Sequence, residues 1–390
     1  MFEHFAGIDM AKDTFSFCVT DLNGKEVEKG CCPVDKEGFD KFFSVISSFS
    51  NIAVAVESTG TYHITLLSAL VSANFTTYLI TPILVKKFAQ SCSLRTIKTD
   101  RIDAKIISVF IARNHSTLIP AVSTGNEGLR ELARLRESVT GDLGSTKTKL
   151  KQLLTTTFPE LVRNFNIFTA SMLVLIEAFP SANAFVNASE TEIETPLKTK
   201  GKGRKISVSV KQFQELASKS VGKSDPMIEK AVLHQIRKIR FLTDELKKVT
   251  DELVEAAHIC SGKEIEILTS IPGIGDTTAA QFIAEIGNID KFDSVKQLTA
   301  YAGTDPGINQ SGMSLKRKKI SKKGNASIRR VGFLMTVHVI RFSDVFNKYY
   351  FKKRNEGMAK KKAIIATFNK LLRCMFAMLK NHSHFLFVYS

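Results

Sequence analysis

The order of apolar patterns over the first 114 residues constrains this chain most. Residues 4–9 (HFAGID) are a short apolar run and residues 14–20 (TFSFCVT) alternate with a period of two. An Asn23-Gly24 turn, a strong hairpin signal, leads into a third extended stretch at 25–32. The run IAVAVE at 52–57 has the pattern of a buried central strand, and TTYLIT at 76–81 reads as another strand. Helical spacing fills the intervals at 35–49, 62–73, 83–90 and 100–114. Phe39, Phe42, Phe43 and Ile46 mark the first of these helices; Ile102, Ile106, Ile107 and Phe110 mark the last. The resulting β-β-β-α-β-α-β-α order, with the helix at 100–114 following as the last element, predicts an α/β unit, a mixed sheet with helices on its faces.

Residues 58–85 carry no charge, yet Gly60, Asn74 and Pro82 interrupt them, so they read as helix, turn and strand rather than a membrane span. The start, MFEHFAGIDM, lacks a basic segment followed by an apolar one, and no signal peptide is expected. Six cysteines without CxxC spacing, and eight scattered histidines, predict reduced thiols in the cytoplasm and no zinc site.

The middle of the chain changes period. Leu129, Leu132, Arg136, Val139, Leu143, Thr146, Leu150 and Leu153 follow a heptad; so do Val232, Gln235, Ile239, Leu242, Leu246, Val249, Leu253 and Ala256. These long helices could pair with each other, pair across subunits, or lie in one bundle. Gly141 and Gly144 weaken the first. The polar stretch 190–225, with KTKGKGRK at 198–205, reads as a mobile basic loop. Beyond residue 265 the chain reads as mostly helical. The domains expected are thus 1–120, 121–262 and 263–390.

Charge points to the partner. The formal net charge is +17, and residues 301–390 hold 19 Lys and Arg against Asp305, Asp344 and Glu356. The rest of the chain is near neutral, so the positive field is a local one and predicts a nucleic-acid footprint at the C-terminal end.

Three groups of residues could carry chemistry. Asp9 and Glu57 end strands, and Asp100 and Asp103, three apart, share a face at the start of a helix. Carboxylates drawn together resist ionisation unless a hard cation joins them, and Mg²⁺ (or Mn²⁺) suits such oxygen donors. Two such ions can clamp the attacking and leaving oxygens of a phosphodiester. Asp13 is a local alternative to Asp9. The second group is IPGIGDTTAA, where Gly273 and Gly275 form the turn of a helix-hairpin-helix, whose backbone amides suit a phosphate. The third is the stretch 300–330. There Ser311 precedes Gly312, with Lys316, Arg317, Lys318, Lys319, Lys322, Lys323, Arg329 and Arg330 behind it. A serine needs a base, metal or cationic setting to become a nucleophile, and composition alone leaves Ser314, Ser321 and Ser327 equally eligible.

In this order, GIDMAKDTF, VAVESTGTYH, KTDRIDA, IPGIGDTTAAQFIAEIG, QLTAYAGTDPGINQSG and ISKKGNASIRR resemble the insertion-sequence transposases with an acidic DEDD tetrad and a catalytic serine. That group includes the pilin-gene invertases. The resemblance covers almost the whole chain. It implies an RNase H-like, RuvC-like N-terminal domain, central coiled-coil helices and a C-terminal serine domain with a helix-hairpin-helix. By residue, it implies that Asp9, Glu57, Asp100 and Asp103 bind metal and that Ser311 attacks DNA and holds it covalently. It further implies donor and target DNA as substrates and, in some members, a structured bridge RNA as guide. Assembly as dimers and tetramers is implied too, with an active site shared between the acidic domain of one subunit and the serine domain of another. Thr304 departs from the family pattern, where an apolar residue is expected. Two alternative functions are a RuvC-like nuclease that uses water on the same acids, and a non-enzymatic nucleic-acid-binding protein.

Overall fold

Phe5, Ala53, Ala55 and Tyr78 pack on one face of a five-stranded sheet, and Ala6, Ile8, Val54 and Val56 pack on the other. Strands of this kind read as apolar throughout because both faces are covered. The computed structural model describes residues 2–58, 60–92, 100–118, 120–121, 127–200, 210–311, 314–322 and 324–386. The chain forms two compact units, Met1–Gly125 and Asn126–Ser390.

In the first unit β1 (His4–Met10), β2 (Thr14–Asp21), β3 (Glu26–Pro33), β4 (Ile52–Glu57) and β5 (Thr76–Ile80) stand in the order β3-β2-β1-β4-β5. The β1–β2 and β2–β3 pairs are antiparallel hairpins; β1–β4 and β4–β5 are parallel. The helices are α1 (Lys36–Ser47), α2 (His63–Ser72), α3 (Pro82–Cys92) and α4 (Asp100–Asn114). Asp35 caps α1 by accepting from the Gly38 amide at 2.7 Å. Phe42 and Ile46 of α1 and Leu66 and Leu70 of α2 cover one face of the sheet, and Ile107, Phe110 and Ile111 of α4 cover the other. The α/β order expected from the sequence is the order observed.

The second unit is built on α5 (Glu127–Thr157). Five short helices follow: α6 (Pro159–Asn164), α7 (Ala170–Ala178), α8 (Ala182–Val186), α9 (Glu190–Lys200) and α10 (Val210–Ser218). They lead to α11 (Pro226–Thr269), which bends at Ser261 (φ −150°, ψ 39°). The two heptad helices pair with each other, antiparallel: Leu129 shares a core with Leu253 and Ala257, while Leu150 shares one with Val232 and Ile236. Arg136, at a seam position, donates to Thr250 Oγ1 at 2.9 Å. The seam departs from the strict heptad at its ends, where Ala133, Leu154, Ile236 and Ala257 are the buried residues. A straight helix repeats every 3.6 residues, so its contact stripe drifts from a 3.5-residue pattern. The expected loop at 190–225 also needs correction. It contains α9 and α10, anchored in the core by buried Ile193 and Phe213; residues 201–209 lie outside the described residues.

The C-terminal end adds α12 (Asp276–Ile286), α13 (Val295–Ala302), β6 (Pro306–Ser311), β7 (Ser314–Ile320), α14 (Ala326–Phe342), α15 (Asp344–Asn355) and α16 (Lys360–Lys380). Phe282, Met335, Phe368 and Leu372 are among its fully buried residues. Among the described residues no helix is long and apolar enough to cross a membrane.

Candidate active site

Side chains alternate along a strand, so Phe5, Gly7 and Asp9 share one face of β1, and Ala53, Ala55 and Glu57 share one face of β4. Both are the face that α4 covers. The two strands run parallel with Ile8 opposite Val56, which sets Asp9 and Glu57 side by side at their C-terminal ends. Ligand-binding residues gather at such strand ends in open α/β sheets.

Gly7 explains how α4 reaches them. A Cβ at this position would lie 2.2 Å from both the Ala104 carbonyl oxygen and the Ser108 amide nitrogen, so only glycine admits helix backbone this close to the strand. Farther along, His115 lies against Phe5 with ring centroids 5.3 Å apart. The helix therefore runs antiparallel to β1, and its first turn, with Asp100 and Asp103, starts at the edge where Asp9 and Glu57 end. Asp9, Glu57 and Asp103 are each half-buried, whereas Asp13 is exposed in the β1–β2 turn. Among the described residues no three His, Cys, Asp or Glu side chains close into a metal-holding cluster. The donor set still fits a hard divalent cation by its chemistry, four carboxylates and no softer ligand. Sequence reasoning passed over Gly7, although a lone glycine inside a strand signals close backbone approach.

Ser311 ends β6 and pairs with Ser314 of β7 in an antiparallel hairpin. The stretch expected as a loop is thus a β-hairpin, and Lys316, Arg317, Lys318 and Lys319 lie on β7. Its base is clamped by polar bonds. Ser321 Oγ donates to Asp305 Oδ1 at 2.5 Å, the Lys322 amide to the Gly303 carbonyl at 3.1 Å, and the Asn325 amide to the Tyr301 carbonyl at 2.7 Å. Asn325 Nδ2 donates to Glu285 Oε2 at 2.6 Å, while Asn325 Oδ1 caps α14 by accepting from the Ser327 and Ile328 amides. Glu285 is 2% exposed and also accepts from Arg134 Nε at 3.4 Å. A buried carboxylate requires such partners, and the clamp shows why a glutamate occupies a core position.

The other expected nucleic-acid residues fall in varied settings. Arg329 donates to the carbonyls of Ala302 and Gly324 at 3.0 and 2.7 Å and so belongs to the clamp. Arg330 pairs with Glu137 of α5 at 2.5 Å, and Ser327 Oγ donates to the same carboxylate at 2.8 Å. Lys322 is exposed; Lys323 and Gly312 lie outside the described residues. Gly273 adopts φ +96°, and a Cβ there would come within 2.8 Å of the His338 backbone, so it seats the α11–α12 turn on α14. Gly275 is exposed at the N-cap of α12. Thr304, the departure from the apolar pattern, is buried with its hydroxyl donating to Asn369 Oδ1 at 2.6 Å.

Half-buried near the clamp, the Lys291 ammonium lies 4.7 Å from the Tyr301 ring centroid and 5.0 Å from that of Phe292. Desolvation, and secondarily the Arg130 charge, hold its pKa down to about 8, while Glu285 opposes them.

Comparison with known proteins places two family matches along the chain. A DEDD-type IS110 model, described as a transposase, matches residues 6–159, and the model of the IS116/IS110/IS902 transposase family matches residues 265–351. The chain is 23% identical over 397 residues to the mini-circle protein of IS117 from Streptomyces coelicolor, covering 98% of this chain and 95% of that one. It is 24% identical over 393 residues to the pilin gene-inverting protein of Moraxella bovis, covering 99% and 98%. It is also 24% identical over 324 residues to the transposase of IS1111A from Coxiella burnetii, covering 83% and 74%.

Proposed function

The chain belongs to the IS110/IS116 family of transposases, enzymes that cut DNA and transfer strands, and we propose that it does so with Ser311 as nucleophile and Asp9, Glu57, Asp100 and Asp103 as a metal-holding tetrad. The observation that carries the tetrad is the side-by-side ending of β1 and β4 beneath the start of α4, an approach that Gly7 makes possible. We take residues 1–120 as a RuvC-like DEDD domain, 121–262 as the helical linker and 263–390 as the serine domain.

When bound, Mg²⁺ or Mn²⁺ would supply Lewis-acid polarisation of the scissile phosphate. The four carboxylates would hold that charge at one edge of the sheet. In the reaction proposed, Ser311 Oγ attacks phosphorus, giving up its proton as the new O–P bond forms. The P–O3′ bond breaks and the departing oxygen takes up one proton, balancing the one lost by the serine, which leaves a 3′-hydroxyl end and a 5′-phosphoserine ester. In rejoining, a 3′-hydroxyl attacks that ester and expels the serine, so no outside energy source is needed. Two of the rival serines already serve as donors within the fold, Ser321 to Asp305 and Ser327 to Glu137, which supports Ser311 over them. The lysines and arginine of β7, with Lys322 and Lys323, would bind strand phosphates and the charge that builds on the transferring one. Gly273 and Gly275 would serve a duplex phosphate through the α11–α12 turn. Donor and target DNA, a structured guide RNA and a second protomer complete this reading.

The test is the covalent link. Incubated with element-end DNA and Mg²⁺ and then denatured, the wild-type protein is expected to carry DNA, whereas Ser311→Ala carries none and still binds DNA. Free ends without a protein adduct would instead establish water as the nucleophile.

A further inference from the structure

Seven cations stand between Lys348 and Lys362 against a single acid, Glu356, which pairs with Lys353 at 2.7 Å. Lys348, Lys352, Lys360, Lys361 and Lys362 are exposed, and among the described residues none of them forms a salt bridge, though Glu356 also feels the Lys352 charge. They flank the Gly357 turn that joins α15 to α16. Within this field, Phe351 is 53% exposed. Lys348 and Lys352 line a shallow groove along α15 beside it, with Asn347, Asn355 and Glu356, the one acid in that lining. The Tyr350 ring backs Phe351 edge-on at 5.3 Å. Elsewhere on α15, Phe346 is fully buried and the Tyr349 ring lies under Lys353 and Lys370.

Burying an aromatic ring is favourable, so a ring left in water between ammonium groups calls for an occupant. A duplex offers that face phosphates but no free π-surface. An unpaired strand offers both, since each base has a face to stack and each linkage a charge. We propose that the outer face of α15 and the first turn of α16 bind an unpaired nucleic-acid strand, one base stacking on Phe351 and adjacent phosphates meeting Lys348, Lys352 and the Lys360–Lys362 cluster. The inference rests on the DNA-processing reading only for where such a strand arises; binding itself needs no cleavage.

The test uses the full chain without divalent metal, so that a protein unable to cut still reports binding. Fluorescence anisotropy is read with labelled dT20, rU20 and a 20-bp duplex. Phe351→Ala is expected to weaken binding of an unpaired strand about tenfold, with duplex binding changed less than twofold and the melting temperature unchanged. Phe351→Trp restores it. Replacing Lys348 and Lys352 by Gln lowers the salt dependence by about 1.4 in log–log slope, as for two lost phosphate contacts on a single strand. A loss confined to dT20 or to rU20 supports the proposal and identifies which sugar the face accepts. The proposal is overturned if Phe351→Ala leaves both strands bound as before, weakens the duplex equally, or if polyglutamate displaces dT20 as well as unlabelled dT20 does.

Discussion

The two functional regions are held by opposite kinds of force. At the acidic edge of the sheet, backbone lies on backbone, Gly7 against Ala104 and Ser108, within a core of aliphatic and aromatic side chains. At the base of the Ser311 hairpin the chain is tied by hydrogen bonds and charge, with Glu285, Asn325, Arg329 and Asp305 as the knots. An arrangement held by contact resists changes of charge and fails when volume is added. One held by a polar clamp tolerates small changes of shape and answers to charge. The difference suits the parts as proposed: carboxylates that are to hold a metal would need fixed spacing, whereas a hairpin that is to meet a DNA strand could be set by its root.

The largest expected effect comes from adding one methyl at the acidic edge. Gly7→Ala puts a Cβ where two backbone atoms stand, and neither is the end of a flexible side chain. Overpacking of this kind costs about 3 kcal/mol. Displacing α4 by about an ångström would also slow metal-dependent cleavage about 100-fold. Denaturant unfolding followed by hydrogen exchange should show the loss in β1 and α4 while α14 and α16 keep their protection. Unchanged stability and cleavage would mean that α4 is not held by this contact.

The same contrast explains what the sequence made legible. Each strand of the sheet carries its own signal, alternation in TFSFCVT, an apolar run in IAVAVE, Asn-Gly in the turn. Their order was enough to put four acids at strand ends and one helix start. The β6–β7 hairpin carries no such signal. PGINQS and SLKRKKI have little alternation, and the hairpin depends on partners such as Glu285, far from it in sequence. The clamp was hidden for the same reason: Arg329 looks like any DNA-binding arginine until the carbonyls of Ala302 and Gly324 are found beside it. The heptads marked two long helices but left open whether these pair with each other, across subunits or in one bundle, and they did not give the drift of the seam, because cores at either end add contacts that a two-helix repeat does not encode.

A middle-sized effect should come from charge at the clamp. Lys291 releases its proton at about 8 in the fold but near 10.5 when unfolded. Between those values the unfolded chain holds more protons, so raising the pH favours the native state. Below pH 8 the penalty of a desolvated ammonium, facing Arg130 as well as Glu285, is present in full. The half-buried lysine is thus expected to cost about 2 kcal/mol at neutral pH, and Lys291→Met to remove it. The measurement is the difference in unfolding free energy between the two proteins from pH 7 to 10. The difference should shrink as the pH rises. A gap that stays constant would assign the effect to packing on Tyr301 and Phe292 rather than to charge.

The smallest effect lies outside both regimes, at two exposed positions of α5 where neither contact nor charge operates. Gly141 and Gly144 are exposed, and a Cβ at either meets nothing within 4 Å. Alanine there adds no clash and restricts the unfolded chain, so each replacement should stabilise the helix by about 0.5–1 kcal/mol. The glycines thus sit where the sequence would place a flaw, yet α5 runs through them unbroken because Leu143, Thr146 and Leu150 are buried on its opposite side. Packing of that stripe outweighs propensity, as in most helices of folded proteins. Thermal unfolding at two protein concentrations checks the account. A concentration-independent rise in melting temperature for Gly141→Ala and Gly144→Ala supports an open face in the unit described. A fall that deepens at high concentration would show that another surface comes close to these two positions, in which case the missing Cβ atoms are a fit to that surface and not a tolerated weakness of the helix.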